Sequence, residues 1–434
     1  MILFLEIIYY LTVITIWIST LIAMITQYGA YRYDFKNINN FISDVINNPM
    51  KDKITIIIPA HNEAKVILTT CRKIIKLNYP KNLLQIIIVN DASTDNSGEL
   101  LEEFKNNNLD YDITILSTTP KTGGKGKSYA LNLALKHVKY NFICIYDADA
   151  APEKNSLRLL VNKINEDKNN YACCGRNKCR NRDRNLLTRF INLELTVSQK
   201  VVNKGNYELF GIGKIPGTNY LIKKEVLEKF GGFNTDALTE DTDLSFKMHI
   251  NNMKIAYEPR SEAYQQEPEE LKVFIKQRTR WAQGNLNITN TYFRSMFKKS
   301  SKQFKIAYLL QISIHYWFIM AILFSNIFFV VQLSIAILNL VAGQNIDNIF
   351  IIHNYTINTL IFSWAILYLY FILNINYALS TEKGQYNSDN FILSIVYYFT
   401  YAQLFLIISV KAIFKVVYNK IKKRENEWYK TQRY

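Results

Sequence analysis

Apolar residues fall into blocks along this chain, and the blocks differ in period. Residues 2–26 form one apolar run, about as long as a bilayer is thick, with Glu6 its only charge. No basic stretch precedes it and no small-residue cleavage site follows, so the expectation is a membrane span, not a signal peptide. Residues 304–341, 357–378 and 391–414 are apolar again. Between the two ends, short β-branched runs at 54–58, 85–89, 113–116 and 142–146 predict buried strands. Helical patterns at 64–77, 97–106 and 128–138 separate them. Strands apolar on both faces that alternate with helices predict an α/β fold with a mainly parallel central sheet. Further on, 175–189 reads as a polar loop and 186–203 as a helix. A turn and strand follow at 215–222, then helices at 223–230, 241–250 and 268–294, with a short strand at 255–257 between the last two.

The C-terminal third predicts an amphipathic helix in the membrane interface at 304–317, which carries Lys305, Gln311 and His315, then a span at 318–341. Residues 357–378 and 391–414 are each about one span long. Three spans after a cytoplasmic domain would put the basic tail outside, against the positive-inside rule. Two readings stay open. Either 304–341 makes two passes with a turn near Ser325-Asn326, or the last apolar segment does not fully cross. The expected organisation is a span in 1–32, a linker in 33–50, a cytoplasmic domain in 51–303, interfacial and transmembrane helices in 304–414 and a basic cytoplasmic tail in 415–434.

Composition changes this picture in two places. The formal charge is +16, from 52 Lys and Arg against 36 Asp and Glu. No nucleic-acid motif accompanies the excess, and much of it flanks apolar segments, so the expected partner is anionic lipid and not nucleic acid. The five cysteines have neither disulfide-framework nor zinc-site spacing, which reads as buried free thiols.

The polar motifs fall where the strands end, and ligands of open α/β sheets bind there. Asp147-Ala148-Asp149 ends the fourth strand. Two carboxylates at i and i+2 can hold a hard cation that keeps waters and a diphosphate, although the same tripeptide also serves as a turn. Asp91, at the end of the second strand, can accept from a base N–H or a ribose hydroxyl, and Asp95 suits a helix cap. Lys125 and Lys127 lie in a Gly-rich turn that opens a helix, a place for phosphate. Residues 239–243 hold three carboxylates, Glu240, Asp241 and Asp243. One would be the base that takes an acceptor proton, and another could be a cap. Gln277, Arg280 and Trp281 at i, i+3 and i+4 share one helical face, which suits a clamp for a charged leaving group and a flat surface for a sugar. Core packing is the ordinary role of such a Trp.

The order Pro59-Ala60-His61-Asn62-Glu63, Asp91, Asp147-Ala148-Asp149, Thr239-Glu240-Asp241 and Gln277-Arg278-Thr279-Arg280-Trp281 resembles the processive family 2 glycosyltransferases. These include cellulose, chitin, hyaluronan and poly-β-1,6-N-acetylglucosamine synthases. The likeness covers about residues 50–300. The 126–132 stretch and the placing of the apolar blocks most resemble the poly-N-acetylglucosamine synthases, although only Trp428 stands where those carry a Trp-Ser-Pro-type ending. The resemblance implies a GT-A fold flanked by transmembrane helices, and a multi-pass plasma-membrane enzyme with a cytoplasmic catalytic domain. It implies inverting transfer from a UDP-sugar, N-acetylglucosamine foremost, to a growing polysaccharide that is also translocated. Transfer of one sugar to a lipid acceptor is the alternative. It further implies Mg²⁺ or Mn²⁺ at Asp147 and Asp149, and Asp241 as base. The donor would meet Pro59, Glu63, Asp91, Lys127, Asp147, Asp149 and Arg280, and the acceptor Gly217, Glu240, Gln277 and Trp281. An accessory membrane subunit is a further expectation.

Overall fold

The computed structural model describes residues 2–38, 42–298, 300–342 and 354–422. Helix α1 (Ile2–Lys36) and the short α2 (Ile42–Ile46) lead into a sheet. Strands β1 (Ile54–Ala60), β2 (Leu84–Asn90), β3 (Asp112–Ser117) and β4 (Phe142–Ile145) stand where the apolar runs predict them. They pair in parallel, in the spatial order β3-β2-β1-β4, with Ile56 beside both Ile86 and Cys144. Helices α3 (Ile67–Ile74), α4 (Ser97–Asn106) and α5 (Lys127–Leu135) make the connections.

Beyond β4 the sheet departs from expectation. It continues through β5 (Ala151–Pro152), helix α6 (Ser156–Asn165), β6 (Asn170–Cys179), β7 (Tyr220–Lys223) and β8 (Lys254–Gln265). Here the spatial order is β4-β7-β6-β8-β5. β7 runs antiparallel to β4 and to β6, β5 runs antiparallel to β8, and β6 runs parallel to β8. The sheet is therefore mixed, with four parallel strand pairings and three antiparallel ones among the described residues, so the parallel part is the larger, as expected. The strand over 170–179 departs from the expected loop for a local reason. Arg176 and Lys178 give 175–179 the look of a loop, yet both sit in β6. Their charges are met in place by Glu262 of β8 and by Glu382 from the distant C-terminal part. A buried charge that is paired no longer opposes a strand.

The two faces of the sheet are both covered. Ile54, Ile56, Ile58, Ile86 and Ile88 pack toward α3, α4 and α6. Ile57, Ile87, Val89, Ile143 and Ile145 pack toward α5, toward α9 (Lys224–Phe230) and toward α10 (Glu240–Ile250). The helix expected at 186–203 is longer. It comprises α7 (Leu186–Val197), a π-helical segment over 198–203 and α8 (Lys204–Phe210). α11 (Leu271–Met296) is followed by α12 (Lys302–Ile312), a π-helical segment over 313–317 and α13 (Phe318–Ala342). α13 passes Ser325 and Asn326 as unbroken helix, so the turn weighed there is not present. No Gly or Pro occurs between 318 and 342 to break it. α14 (Asn354–Ser380), α15 (Ser388–Tyr397) and α16 (Tyr401–Lys422) complete the described chain. Residues 423–434 of the expected basic tail lie outside the described residues.

α1 runs ten residues past its apolar stretch, into the expected linker. There Arg32 and Lys36 pair with Glu208, and Asp34 pairs with Lys204 at 2.6 Å. Among the described residues, α1 over Tyr9–Lys36 and α14 over Phe362–Ser380 are long and apolar enough to cross a bilayer. α15 with α16, bent by 42°, makes a third if the pair is one span.

Candidate active site

β1 ends at Pro59-Ala60, and the next three residues turn sharply. Asn62 has φ 53° and its Oδ1 accepts from Thr94 N at 2.6 Å, which locks this turn to the one after β2. His61 Nδ1 lies 2.5 Å from the Asp91 carbonyl oxygen. The Asp91 carboxylate is buried and its Oδ1 accepts from Thr118 Oγ1 at 2.8 Å and Gly124 N at 2.9 Å. A methyl group on Gly123 would lie 2.3 Å from that oxygen, so glycine is what lets the 119–126 loop close over Asp91. Asp95 accepts from Ser97 N at 3.0 Å and Ala64 N at 3.1 Å, which ties the turn after β1 to the start of α4, whose cap position is Asn96 and not Asp95.

Lys127 opens α5 and reaches across the strand ends. Its Nζ is 2.5 Å from Asp147 Oδ1, 2.7 Å from the Gly217 carbonyl oxygen and 3.6 Å from Glu240 Oε1. Burial alone would lower its pKa, but Asp147, Glu240 and Asp241 outweigh burial and raise it, so the ammonium stays charged. Lys125 is not part of this arrangement; its Nζ lies 5.3 Å from the Tyr129 ring centre. Asp147 N donates to Thr218 Oγ1 at 2.9 Å, and buried Asp149 accepts from Gln266 N at 3.3 Å. The DxD turn is thereby fixed from both sides.

The three carboxylates of α10 separate cleanly. Asp243 is buried against Tyr292 OH at 2.8 Å and Lys247 Nζ at 2.8 Å, a structural position. Glu240 is half-buried beside Lys127. Burial raises its pKa and Lys127 opposes the rise, which leaves it raised. Asp241 accepts from Thr242 N at 2.7 Å through Oδ1, while Oδ2 faces Gly217, where a methyl group would stand 3.1 Å away. Gly217 has φ 83°, a left-handed conformation that suits glycine.

On α11, Arg280 Nη1 donates to the Leu238 carbonyl oxygen at 3.2 Å, just before the α10 carboxylates. Trp281 is half-buried and Gln277 buried. One cleft of about 500 Å³ joins all twelve expected residues: Pro59, Glu63, Asp91, Lys127, Asp147, Asp149, Gly217, Glu240, Asp241, Gln277, Arg280 and Trp281. The same cleft is also lined by polar residues that sequence reading missed, Asn203, Asn206, Lys214, His249, Asn285 and Gln311. Gln311 Nε2 donates to Asn285 Oδ1 at 3.0 Å, so the polar side of α12 faces the cleft. Burial holds His249 down at about 4 and therefore neutral.

Asp147 and Asp149 are a donor set of the right kind for a hard divalent ion. Among the described residues no third His, Cys, Asp or Glu joins them, so diphosphate oxygens and water would have to complete the shell. The pair fits an ion that arrives with its nucleotide.

The family model described as "Glycosyl transferase family 2" matches residues 55–231. A probable glycosyltransferase of Bacillus subtilis, YdaM, is 33% identical over 427 residues, 98% of this chain and 97% of that protein. The poly-beta-1,6-N-acetyl-D-glucosamine synthase of Staphylococcus epidermidis is 29% identical over 264 residues, 61% of this chain and 62% of that one. In fold, the chain is similar to a mannosyltransferase from Pyrobaculum calidifontis solved with GDP-Man and Mn²⁺. The TM-score is 0.53 and the identity 18%, over 94% of this chain and 100% of that one. With its acidic strand ends, its α10 carboxylate and its α11 face gathered in one cleft, this chain belongs to glycosyl transferase family 2 and is a glycosyltransferase.

Proposed function

We propose that the protein transfers N-acetylglucosamine from its UDP donor to a growing polysaccharide at the cytoplasmic face of the cell membrane, with inversion. The observation that carries this reading is the single cleft, with a diphosphate end at Asp147, a carboxylate at Asp241 and an aromatic wall at Trp281. Asp91 accepts from the uracil or ribose, held in place by Thr118 and Gly124. Asp241 takes the proton of the acceptor hydroxyl. The freed oxygen attacks the anomeric carbon, and the bond to the diphosphate breaks with its electron pair leaving on UDP. Arg280 and Lys127 supply positive charge at that end. Mg²⁺ or Mn²⁺, held by Asp147 and Asp149, would neutralise charge on the diphosphate. Trp281 and Gln277 hold the acceptor sugar, and the amide-rich lining takes the residues behind it. A cleft of about 500 Å³ with this additional polar lining favours a polymer acceptor over a single lipid-borne hydroxyl. UDP release by the full chain in liposomes, screened over UDP-sugars with and without Mn²⁺, tests this. Release with UDP-N-acetylglucosamine and products longer than one added sugar are expected. One added sugar per lipid would remove the polymer reading.

The membrane reading rests on where α14 ends. Lys200 Nζ donates to the Thr381 carbonyl oxygen at 3.0 Å, and Glu382 pairs with Arg176 and Lys178, so the chain returns to the catalytic domain after α14. α13 carries no charged residue over its 25 positions. We therefore read α1 as one span and α13 with α14 as an out-and-back pair. α16 carries exposed Lys411 and Lys415 at mid-helix and begins against α11, which suits a helix in the interface and not a span. This keeps Lys420 and Lys422 on the cytoplasmic side. The native cysteines are all buried. A single cysteine at Lys420 is therefore expected to react with an impermeant maleimide only after permeabilisation. Labelling in intact cells would show that α16 crosses.

A further inference from the structure

Arg278 lies within the α11 motif but does not line the cleft. It is buried, at 3% exposure, and both terminal nitrogens of its guanidinium donate, while Nε has no hydrogen-bond partner among the described residues. One face lies over Trp281, 4.1 Å from guanidinium carbon to ring centre, and the group stands 5.2 Å from the Phe274 ring centre. Nη1 donates to Gln277 Oε1 at 3.2 Å. Nη2 donates to Glu194 Oε2 at 3.1 Å and stands 3.8 Å from Glu267 Oε2. The same Glu194 oxygen accepts from the hydroxyl of Tyr401, the first residue of α16. Tyr401 is itself clamped by rings, 5.4 Å from Phe190, 5.3 Å from Phe274 and 5.0 Å from Tyr397.

We propose that Arg278 is a positioning residue. It sets the plane of Trp281 and the amide of Gln277, and Tyr401 makes that setting depend, through Glu194, on how the α15–α16 joint sits against the catalytic domain. The inference rests on the reading of Trp281 and Gln277 as acceptor-binding residues. The physical reason is the shape of the group. A planar guanidinium can lie flat on an indole while its edges donate to an amide and a carboxylate, and an ammonium cannot do both. The bland alternative is that Arg278 only neutralises Glu194 and Glu267, and a lysine would then serve as well.

The test uses the full chain in liposomes, with UDP-N-acetylglucosamine and an N-acetylglucosamine oligosaccharide as primer. The variants are Arg278→Lys, Tyr401→Phe, Trp281→Ala and the Trp281→Ala/Arg278→Lys double. The expected result for Arg278→Lys is a rise of tenfold or more in primer KM, with donor KM within twofold of wild type. Tyr401→Phe, which loses one hydroxyl, is expected to raise primer KM about threefold to fivefold by loosening the same contact. Once Trp281 is gone, Arg278→Lys should add less than twofold. A substrate-independent readout accompanies these. Acrylamide quenching of Trp281, by difference against Trp281→Phe in each background, should rise at least twofold in Arg278→Lys and measurably in Tyr401→Phe. Wild-type primer KM and unchanged quenching in both variants would overturn the proposal, as would full additivity in the double variant. If Arg278→Lys fails to fold, Tyr401→Phe decides alone by the same two readouts. A Trp281→Ala protein with wild-type primer KM would overturn the acceptor reading, and this inference with it.

Discussion

At the scale of single residues, the site separates groups of like chemistry by what surrounds them. Asp241 and Asp243 are two positions apart on one helix, yet Asp243 is bound to Tyr292 and Lys247 while Asp241 opens on the cleft beside Gly217. Asp241→Asn is expected to lower turnover about 10²–10⁴-fold, the worth of a positioned base, with donor affinity within a few-fold. Single-turnover UDP release and calorimetric UDP binding check the two halves. Wild-type turnover would remove the base assignment. Asp243→Asn should instead lower thermal stability, since it leaves Lys247 and Tyr292 without their shared carboxylate. Gly217→Ala places a methyl group 3.1 Å from Asp241 Oδ2 at a φ of 83°. A loss of turnover larger than the loss of stability is expected, and the reverse would mean that the loop merely folds badly.

At the scale of elements, what was legible followed from period and from strand ends. The four parallel strands and their acidic termini could be read because an all-apolar run stopped by Pro or Asp leaves few alternatives. β6 could not, since the charge of its buried Arg176 is met by Glu262 of β8 and by Glu382, about two hundred positions away. Nor could the amide-rich lining of the cleft. Asn203 ends a π-helical segment and Asn206 follows it, and that segment rotates the helix out of the 3.6-residue register that periodicity assumes. Helix packing also rests on single positions. A methyl group on Gly205 of α8 would lie 1.9 Å from the Thr26 carbonyl oxygen of α1, and one on Gly29 2.7 Å from the Gly205 carbonyl oxygen. Two backbones cross there, and neither can yield locally. Gly205→Ala is expected to destabilise by about 1–3 kcal/mol, in the range of overpacked cores. It should also lower activity, because Asn206 of the cleft wall moves with α8. Melting curves in detergent, set beside UDP release, check it. Gly231→Ala is the control. Its added methyl group meets open space and it carries only the strain of φ 71°, so activity should hold.

At the scale of the whole molecule, the catalytic domain and the apolar helices are joined by charges, and that joint should respond to acid. Glu382, just past α14, receives Arg176 and Lys178 of β6, and Lys200 stands 3.6 Å away. Burial would raise its pKa, but the contacts with Arg176, Lys178 and Lys200 overcome burial and hold the carboxyl down at about 2. A carboxyl held below its ordinary value of 4.5 gives its full stabilisation above that value and loses it as pH falls from 4.5 toward 2. The wild-type protein is therefore expected to show a fall in melting temperature in that window. Proteolysis within the 381–387 loop should begin there as the loop leaves β6. Glu382→Gln removes the titration together with the charge. It should lack that component of the acid fall, and at pH 7 it should be less stable by about 2–3 kcal/mol, once solvent screening is allowed for. Arg176 keeps Glu262 in the variant, so the sheet should stay folded while the loop loosens. An acid profile in Glu382→Gln that matches wild type from pH 4.5 to 2 would mean that other carboxylates carry the response. The charge cluster would then hold β6 in the sheet without governing how the apolar helices are held to the catalytic domain.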